Sequence, residues 1–283
     1  MGMRLVSGIV AICLVAGAGL LTLAVANIST PRPLVDADLS TAISPVVYQL
    51  DQSSSERGYH YIFYGNAFFV DKDGYLITAA HVLSDFHDGG QPYLLLRLPE
   101  APPRLVKAEV VSMDMLHDVA VLRAVPNPFA GKYQVSYLML DANKPSVGAT
   151  VLAAALRPSH LKDPHTFDAP RQEYSSAEVV QYTSSALVKG QTTTELFLFS
   201  HEVIRGQSGA PLLAAEGERN VVGIVEGRWL HPTPTAAAGY DGNRTSTVGA
   251  AIPIAYIIPL LEDKHIPWQS AAPRLKPKEN QRP

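Results

Sequence analysis

Between residues 46 and 261 the apolar positions fall in short runs, each closed by a cluster of turn-forming residues. Tyr59-His60-Tyr61-Ile62-Phe63-Tyr64 and Ala67-Phe68-Phe69-Val70 are dense in aromatic and β-branched side chains. Asp71-Lys72-Asp73-Gly74 then turns the chain into Tyr75-Leu76-Ile77-Thr78. Two β-prone runs around a short loop containing glycine predict a hairpin. Further strands are expected at 93–98, 105–111, 119–123, 149–155, 195–200, 221–225 and 248–252. The exception is 254–261, a terminal helix that Pro259 should shorten or kink. Short strands in close succession, without long helical patterns between them, predict an all-β sandwich or barrel.

The two ends read differently. Residues 5–26 are 22 positions without a charge, preceded by Met1-Gly2-Met3-Arg4. About 20 apolar residues span a bilayer core, whereas a signal-peptide core holds about 7–15. Length therefore favours a transmembrane anchor at 1–26, while Ala24-Val25-Ala26 has the small-x-small form of a cleavage site. Either way Arg4 keeps the N-terminus inside and the rest of the chain is exported, facing the periplasm or the outside. Residues 27–45, with Pro31, Pro33 and Pro45, read as a linker, 46–266 as the folded domain, and 267–283, with four prolines and no periodicity, as a disordered tail.

Composition narrows the function classes. The 283 residues are enough for one sizeable domain, and 22 prolines with 20 glycines suit a loop-rich β protein. A net charge of −3 and no basic block interleaved with aromatics give no reason to expect a nucleic-acid partner. The single cysteine, Cys13, lies in the N-terminal apolar segment, so the domain has no disulfide, thiolate metal site or thiol nucleophile. No His-Glu-x-x-His spacing occurs, and Asp85 with His87 and His160 with His165 are isolated loop pairs. No metal and no organic cofactor is expected.

Three segments combine a reactive residue with surroundings suited to acyl transfer. Leu76-Ile77-Thr78-Ala79-Ala80-His81-Val82 ends an apolar strand in two small residues and then presents His81, as a general base needs. In Leu116-His117-Asp118-Val119-Ala120-Val121-Leu122 a carboxylate precedes an apolar strand and could orient an imidazole. Arg205-Gly206-Gln207-Ser208-Gly209-Ala210-Pro211-Leu212-Leu213 places a serine hydroxyl in a tight loop, where the N–H groups of Gly206 and Ser208 can serve one cavity as an oxyanion hole. Each has a plain alternative: a surface histidine, a turn aspartate, a polar turn.

Together, the order His, Asp, Ser and these contexts resemble the trypsin-like protease superfamily, and most of all bacterial HtrA/Deg-type protease domains. Val222-Gly223-Ile224-Val225 resembles that family's Val-x-Gly-Ile element, and Gly249-Ala250-Ala251-Ile252-Pro253-Ile254 the segment leading into its closing helix. The resemblance runs from about residue 65 to 261. It implies two packed six-stranded antiparallel β-barrels, Ser208 as nucleophile, His81 as general base and acid, Asp118 as orienting carboxylate, and the N–H groups of Gly206 and Ser208 as the oxyanion hole. It implies protein or peptide substrates and hydrolysis through an acyl-enzyme. The absence of disulfides suits a bacterial exported enzyme better than a secreted animal one.

Departures from the family pattern are Gln207, where digestive-type relatives carry aspartate and HtrA-type relatives usually asparagine, and Ala210 and Ala67, where glycines are usual. No segment reads as a PDZ-type peptide-binding module, which argues against cage assembly; a trimer of protease domains stays open. Glu202, six residues before Ser208, is a candidate floor of the S1 pocket that would favour basic side chains; the alternative is that it points to solvent. Residues 227–243 could form a flap beside that pocket. Two rivals remain. A latent or inactive protease-fold binding module at the cell envelope is one. An esterase is the other, against which stand the missing Gly-x-Ser-x-Gly signature and the reversed triad order.

Overall fold

The computed structural model describes residues 39–49, 61–84, 90–98, 101–130, 135–159, 168–186, 193–215, 220–232 and 245–270. The expectations placed on the N-terminal segment and its cleavage site, Cys13, Asp85, His87, His160, His165, residues 233–243 and residues 271–283 lie outside the described residues.

Six strands form a first ring: β1 (Ile43–Gln49), β2 (Tyr61–Phe69), β3 (Tyr75–Ala79), β4 (Pro92–Leu96), β5 (Arg104–Asp114) and β6 (Val119–Val125). They are joined in the order β1-β2-β3-β6-β5-β4, and β1 pairs with β4 to close the barrel. A second ring comprises β7 (Thr150–Arg157), β8 (Arg171–Ser185), β9 (Thr194–Phe199), β10 (Pro211–Ala214), β11 (Val221–Pro232) and β12 (Thr245–Pro253). Its order is β10-β11-β12-β9-β8-β7, closed by β10 against β7. Closure leaves neither ring with a free edge, which is how an antiparallel sheet of this size avoids templating another chain.

Apolar side chains from both faces of the strands form the core in and around each barrel. Phe68, Leu76, Leu94, Val121 and Leu122 are fully buried in the first, and Phe197, Phe199, Leu212 and Ile224 in the second. Burying an aromatic side chain of this kind contributes about 2–3 kcal/mol, and truncating it to alanine costs about 3–5 kcal/mol once the cavity is counted. The expected hairpin forms as read, with Phe68 opposite Ile77 and Phe69 opposite Leu76. The two aromatic runs before it are one continuous strand, β2, because Gly65 and Asn66 continue the pairing with β1.

Four features depart from the sequence expectations. The linker read as far as residue 45 ends earlier: Leu39–Thr41 is a buried 3₁₀ turn, and β1 already runs through Ser44 and Pro45. Covered on both faces, β1 loses the alternation that marks a half-exposed strand, and Pro45 lies next to a bulge between Val46 and Val47 where a missing N–H is tolerated. Strand β8 was not anticipated because few of its side chains are buried, Ala177 and Val179 being the main ones. Pro259 does not kink the terminal helix but stands in its first turn, so α2 (Ile258–Asp263) begins there, where an N–H is not needed. Finally, order extends past residue 266: the Gln269 carbonyl accepts the Leu140 N–H at 2.9 Å, and Trp268 packs on the core.

The hairpin turn carries a buried charge. Asp71 Oδ1 accepts the N–H groups of Asp73 and Tyr75, both at 3.0 Å, while Oδ2 is buried without a partner. Burial outweighs the two backbone bonds and pushes the Asp71 carboxyl up to about 6. A carboxyl whose folded-state pKa is raised contributes stability below its unfolded value that is lost as pH rises through the folded one. Asp71→Asn should therefore gain on the wild-type chain by about 1–3 kcal/mol between pH 4 and pH 7, read as the difference in urea unfolding free energy. A difference that does not change with pH would show that Asp71 is solvated in the folded state.

Candidate active site

Strand β3 ends in Ala79 and Ala80, both fully buried, and His81 opens the single helical turn α1 (His81–Ser84). Small residues are needed here because the chain runs against the turn between β5 and β6: the Ala80 N–H donates to the Asp118 carbonyl at 3.1 Å. The Asp118 carboxylate then grips His81 twice. Oδ1 accepts the His81 backbone N–H at 2.7 Å, and Oδ2 lies 2.7 Å from Nδ1. A carboxylate only accepts, so Nδ1 carries the proton and the ring's accepting nitrogen is Nε2.

Asp118 is buried and adopts φ of 54°, left-handed backbone that aspartate tolerates better than most residues but that still costs about 1 kcal/mol. Its surroundings impose that conformation. Asp114 Oδ1 accepts the N–H groups of Leu116 and His117, and Oδ2 lies 2.6 Å from His117 Nδ1. From the second barrel, Thr194 Oγ1 donates to the Leu116 carbonyl at 2.9 Å, and Tyr256 stacks on the His117 ring at 4.3 Å. Burial pushes the Asp114 carboxyl up, but the His117 ring and the N–H groups of His117 and Leu116 together hold it below its usual range.

Ser208 sits in the loop between β9 and β10, at the approach of the two barrels. Gly206 and Gly209 have φ of 94° and 78°, and a Cβ on either would collide, with the Phe63 ring and with the Asn66 carbonyl respectively. The loop's carbonyls are each taken up. Ile204 O accepts from the Gln207 N–H, Arg205 O from Arg157 Nη2 at 2.8 Å, Gly206 O from Asn66 Nδ2 at 2.8 Å, Gln207 O from the Ala210 N–H and Ser208 O from the Asn66 N–H. Arg157 is steadied by Glu173 at 2.6 Å and lies over the Phe63 ring. In a trans peptide N–H and C=O point oppositely, so the Gly206 N–H faces away from the Arg157 guanidinium and the Ser208 N–H away from Ala210.

Glu226 bonds Ser208 through its backbone and interacts electrostatically with His81 through its carboxyl. It is the extra residue of a bulge between Val225 and Gly227 in the pairing of β11 with β12. Bulges re-aim a side chain and often lie beside functional sites. The Glu226 carbonyl accepts the Ser208 Oγ–H at 2.9 Å. Its partly buried carboxyl is pushed up by burial, pulled down by His81 and raised again by Asp118, so it stands within electrostatic reach of both.

The sequence profile of the trypsin-like peptidase domain matches residues 65–224, more than half of the chain. The chain belongs to the trypsin-like peptidase family. No match is found among curated proteins. Among solved structures, the chain is similar to the MamO protease domain of Magnetospirillum magneticum in its apo form, at 19% identity and a TM-score of 0.54, covering 79% of this chain and 97% of that one. It is also similar to the active form of the Rv3671c protease of M. tuberculosis, at 18% identity and a TM-score of 0.54, covering 86% and 91%. The HtrA-type protease AlgW solved with a decapeptide follows at 18% identity and a TM-score of 0.53, covering 80% and 66%. At these identities the likeness is one of fold.

In this peptidase, His81 and Asp118 are in direct contact, Ser208 bonds the backbone carbonyl of Glu226, whose carboxyl interacts electrostatically with both, and Gly206 lies in the serine's loop. Glu202 does not join them. Its side chain is 56% exposed and pairs with Arg228 at 3.6 Å, the solvent-facing alternative to a pocket floor. Asn66, Arg157 and Glu226 were not singled out from sequence. An asparagine within a buried β-run is the one local signal that could have flagged Asn66, and nothing near Arg157 or Glu226 in the chain marks them. Glu202→Gln is expected to leave cleavage-site preference unchanged when peptide-library cleavage is profiled. A preference for Lys or Arg that vanished with the substitution would return Glu202 to the pocket.

Proposed function

We propose that the chain is a serine endopeptidase acting on exported or envelope proteins and peptides through an acyl-enzyme. The observation that carries this reading is the two-point grip of Asp118 on His81, which leaves Nε2 as the basic nitrogen of the ring. In the proposed reaction Ser208 Oγ gives up its bond to the Glu226 carbonyl, attacks the scissile carbonyl carbon and passes its proton to His81 Nε2. The resulting oxyanion is held by the N–H groups of Gly206 and Ser208, a role supported by their carbonyl partners, Arg205 O and Gln207 O, being turned to Arg157 and Ala210. His81 then protonates the leaving amine, and water, deprotonated by the same nitrogen, hydrolyses the ester. No step needs a metal or organic cofactor.

A second reading, a latent protease-fold module, is favoured by one observation: the Ser208 hydroxyl is engaged with the Glu226 carbonyl in this structure. Fluorophosphonate labelling of the full-length chain separates the two. The active reading expects labelling of the wild-type chain that is lost in Ser208→Ala and His81→Ala, and slowed about 10³–10⁴-fold in Asp118→Asn. A folded wild-type chain that stays unlabelled sides with the latent module.

The same assay reads the charge beside the histidine. A carboxylate near an imidazole favours its protonated form, so removing it makes His81 a weaker base. Glu226→Gln should move the acid limb of the labelling-rate profile to lower pH by a few tenths of a unit. A shift to higher pH, or none, would place the Glu226 carboxyl too far away to act.

A further inference from the structure

Asn66 occupies the middle of Gly65-Asn66-Ala67-Phe68 on β2 and is fully buried. A buried primary amide is costly unless both ends are satisfied, and here both are. Nδ2 donates to the Gly206 carbonyl at 2.8 Å and Oδ1 accepts the Leu156 N–H at 2.9 Å. The backbone of the same residue donates from its N–H to the Ser208 carbonyl at 2.8 Å and accepts from Thr78 Oγ1 at 2.7 Å. One residue of the first barrel thus engages the second barrel at the end of β7 and the serine's loop at two points. The amide cannot be turned over, since that would set Nδ2 against an N–H and Oδ1 against a carbonyl.

The consequence lies in Gly206. Glycine has the widest backbone freedom of any residue, so a conformation with φ of 94° is one that the surroundings must impose. On the N-terminal side Arg157 holds the Arg205 carbonyl and with it the plane that contains the Gly206 N–H. On the C-terminal side the plane is held by Asn66 Nδ2 through the Gly206 carbonyl, two residues before Ser208. The close approach of Gly65, where a Cβ would come within 2.6 Å of the Ser208 carbonyl, leaves Asn66 no slack.

We propose that Asn66 is a positioning residue for the nucleophile loop: its side-chain amide sets the conformation of Gly206 and so the direction in which the Gly206 N–H and Ser208 meet the reacting carbonyl. The inference rests on the serine-peptidase reading for its catalytic meaning, while the hold of Asn66 on the loop is independent of it. Asn66→Asp keeps the shape and the acceptor for Leu156 but sets an oxygen against the Gly206 carbonyl. Asn66→Ser withdraws both side-chain bonds without adding bulk.

The test compares wild type, both variants and Ser208→Ala as full-length chains. Saturation kinetics of fluorophosphonate labelling and amide hydrogen exchange over residues 204–210 are read side by side. The expected result is a maximal labelling rate at least tenfold lower in Asn66→Asp, a concentration dependence within twofold of wild type, an unmoved acid limb, and exchange at least tenfold faster in 204–210 but not in β5. Asn66→Ser should show the same pattern and keeps the test open should the aspartate variant fold poorly. Unchanged rate and exchange in a folded variant overturn the proposal. So does a rate that falls only in step with the folded fraction, which is what a mere joint between barrels would give. If wild type labels no more than Ser208→Ala, the serine-peptidase reading fails; faster exchange confined to 204–210 then still upholds the hold of Asn66 on the loop, and unchanged exchange removes that too.

Discussion

The site depends on how closely β2 approaches the loop that carries Ser208. The Asn66 N–H reaches the Ser208 carbonyl at 2.8 Å, and no Cβ fits at Gly65, Gly206 or Gly209 without meeting the opposite chain. Backbone packed to this distance behaves as part of the core: it has few alternative arrangements, and a shift of β2 is transmitted directly to the serine. The loop has no secondary structure of its own, so its shape is inherited from the barrel it touches.

Asp118 shows the same logic in electrostatic form. One buried carboxylate fixes both the backbone and the ring of His81, and a left-handed residue in that position persists because the surrounding turn is overdetermined. Two of its restraints, Thr194 and Tyr256, come from the second barrel. The histidine is therefore oriented by the first barrel alone only in appearance; separation of the barrels would release Asp118 and Ser208 together. Glu226, the extra residue of a bulge in β11, adds a second carboxyl within electrostatic reach of His81 and Asp118.

Much of this was legible in the chain. Strands with dense apolar, aromatic or β-branched runs announced themselves by composition and turn residues, as in β2, β3, β6 and β12, and His81, Asp118 and Ser208 stood out by local context. The misses share a cause: local pattern reports on burial, and burial is a property of the assembled fold. β1 carries Ser44 and Pro45 near its start, so that end read as spacer; β8 buries little and read as loop; Pro259 was expected to shorten or kink a helix over 254–261 but stands in the first turn of one, because the chain before it is a 3₁₀ turn. Glu202 had an alignment position but not a side-chain direction, and Arg228 supplied the partner that holds it outside.

By itself the sequence determined the fold class and the peptidase family and pointed to three candidate reactive residues, because strand pattern, turn chemistry and short motifs are encoded within stretches of a few residues. Tertiary structure alone decided what those residues face. Asn66 lies 140 positions from Gly206, and Arg157 lies 48 from Arg205. Contacts at such separations exist only once both barrels have closed and packed, so no local pattern of hydrophobic and polar residues can contain them.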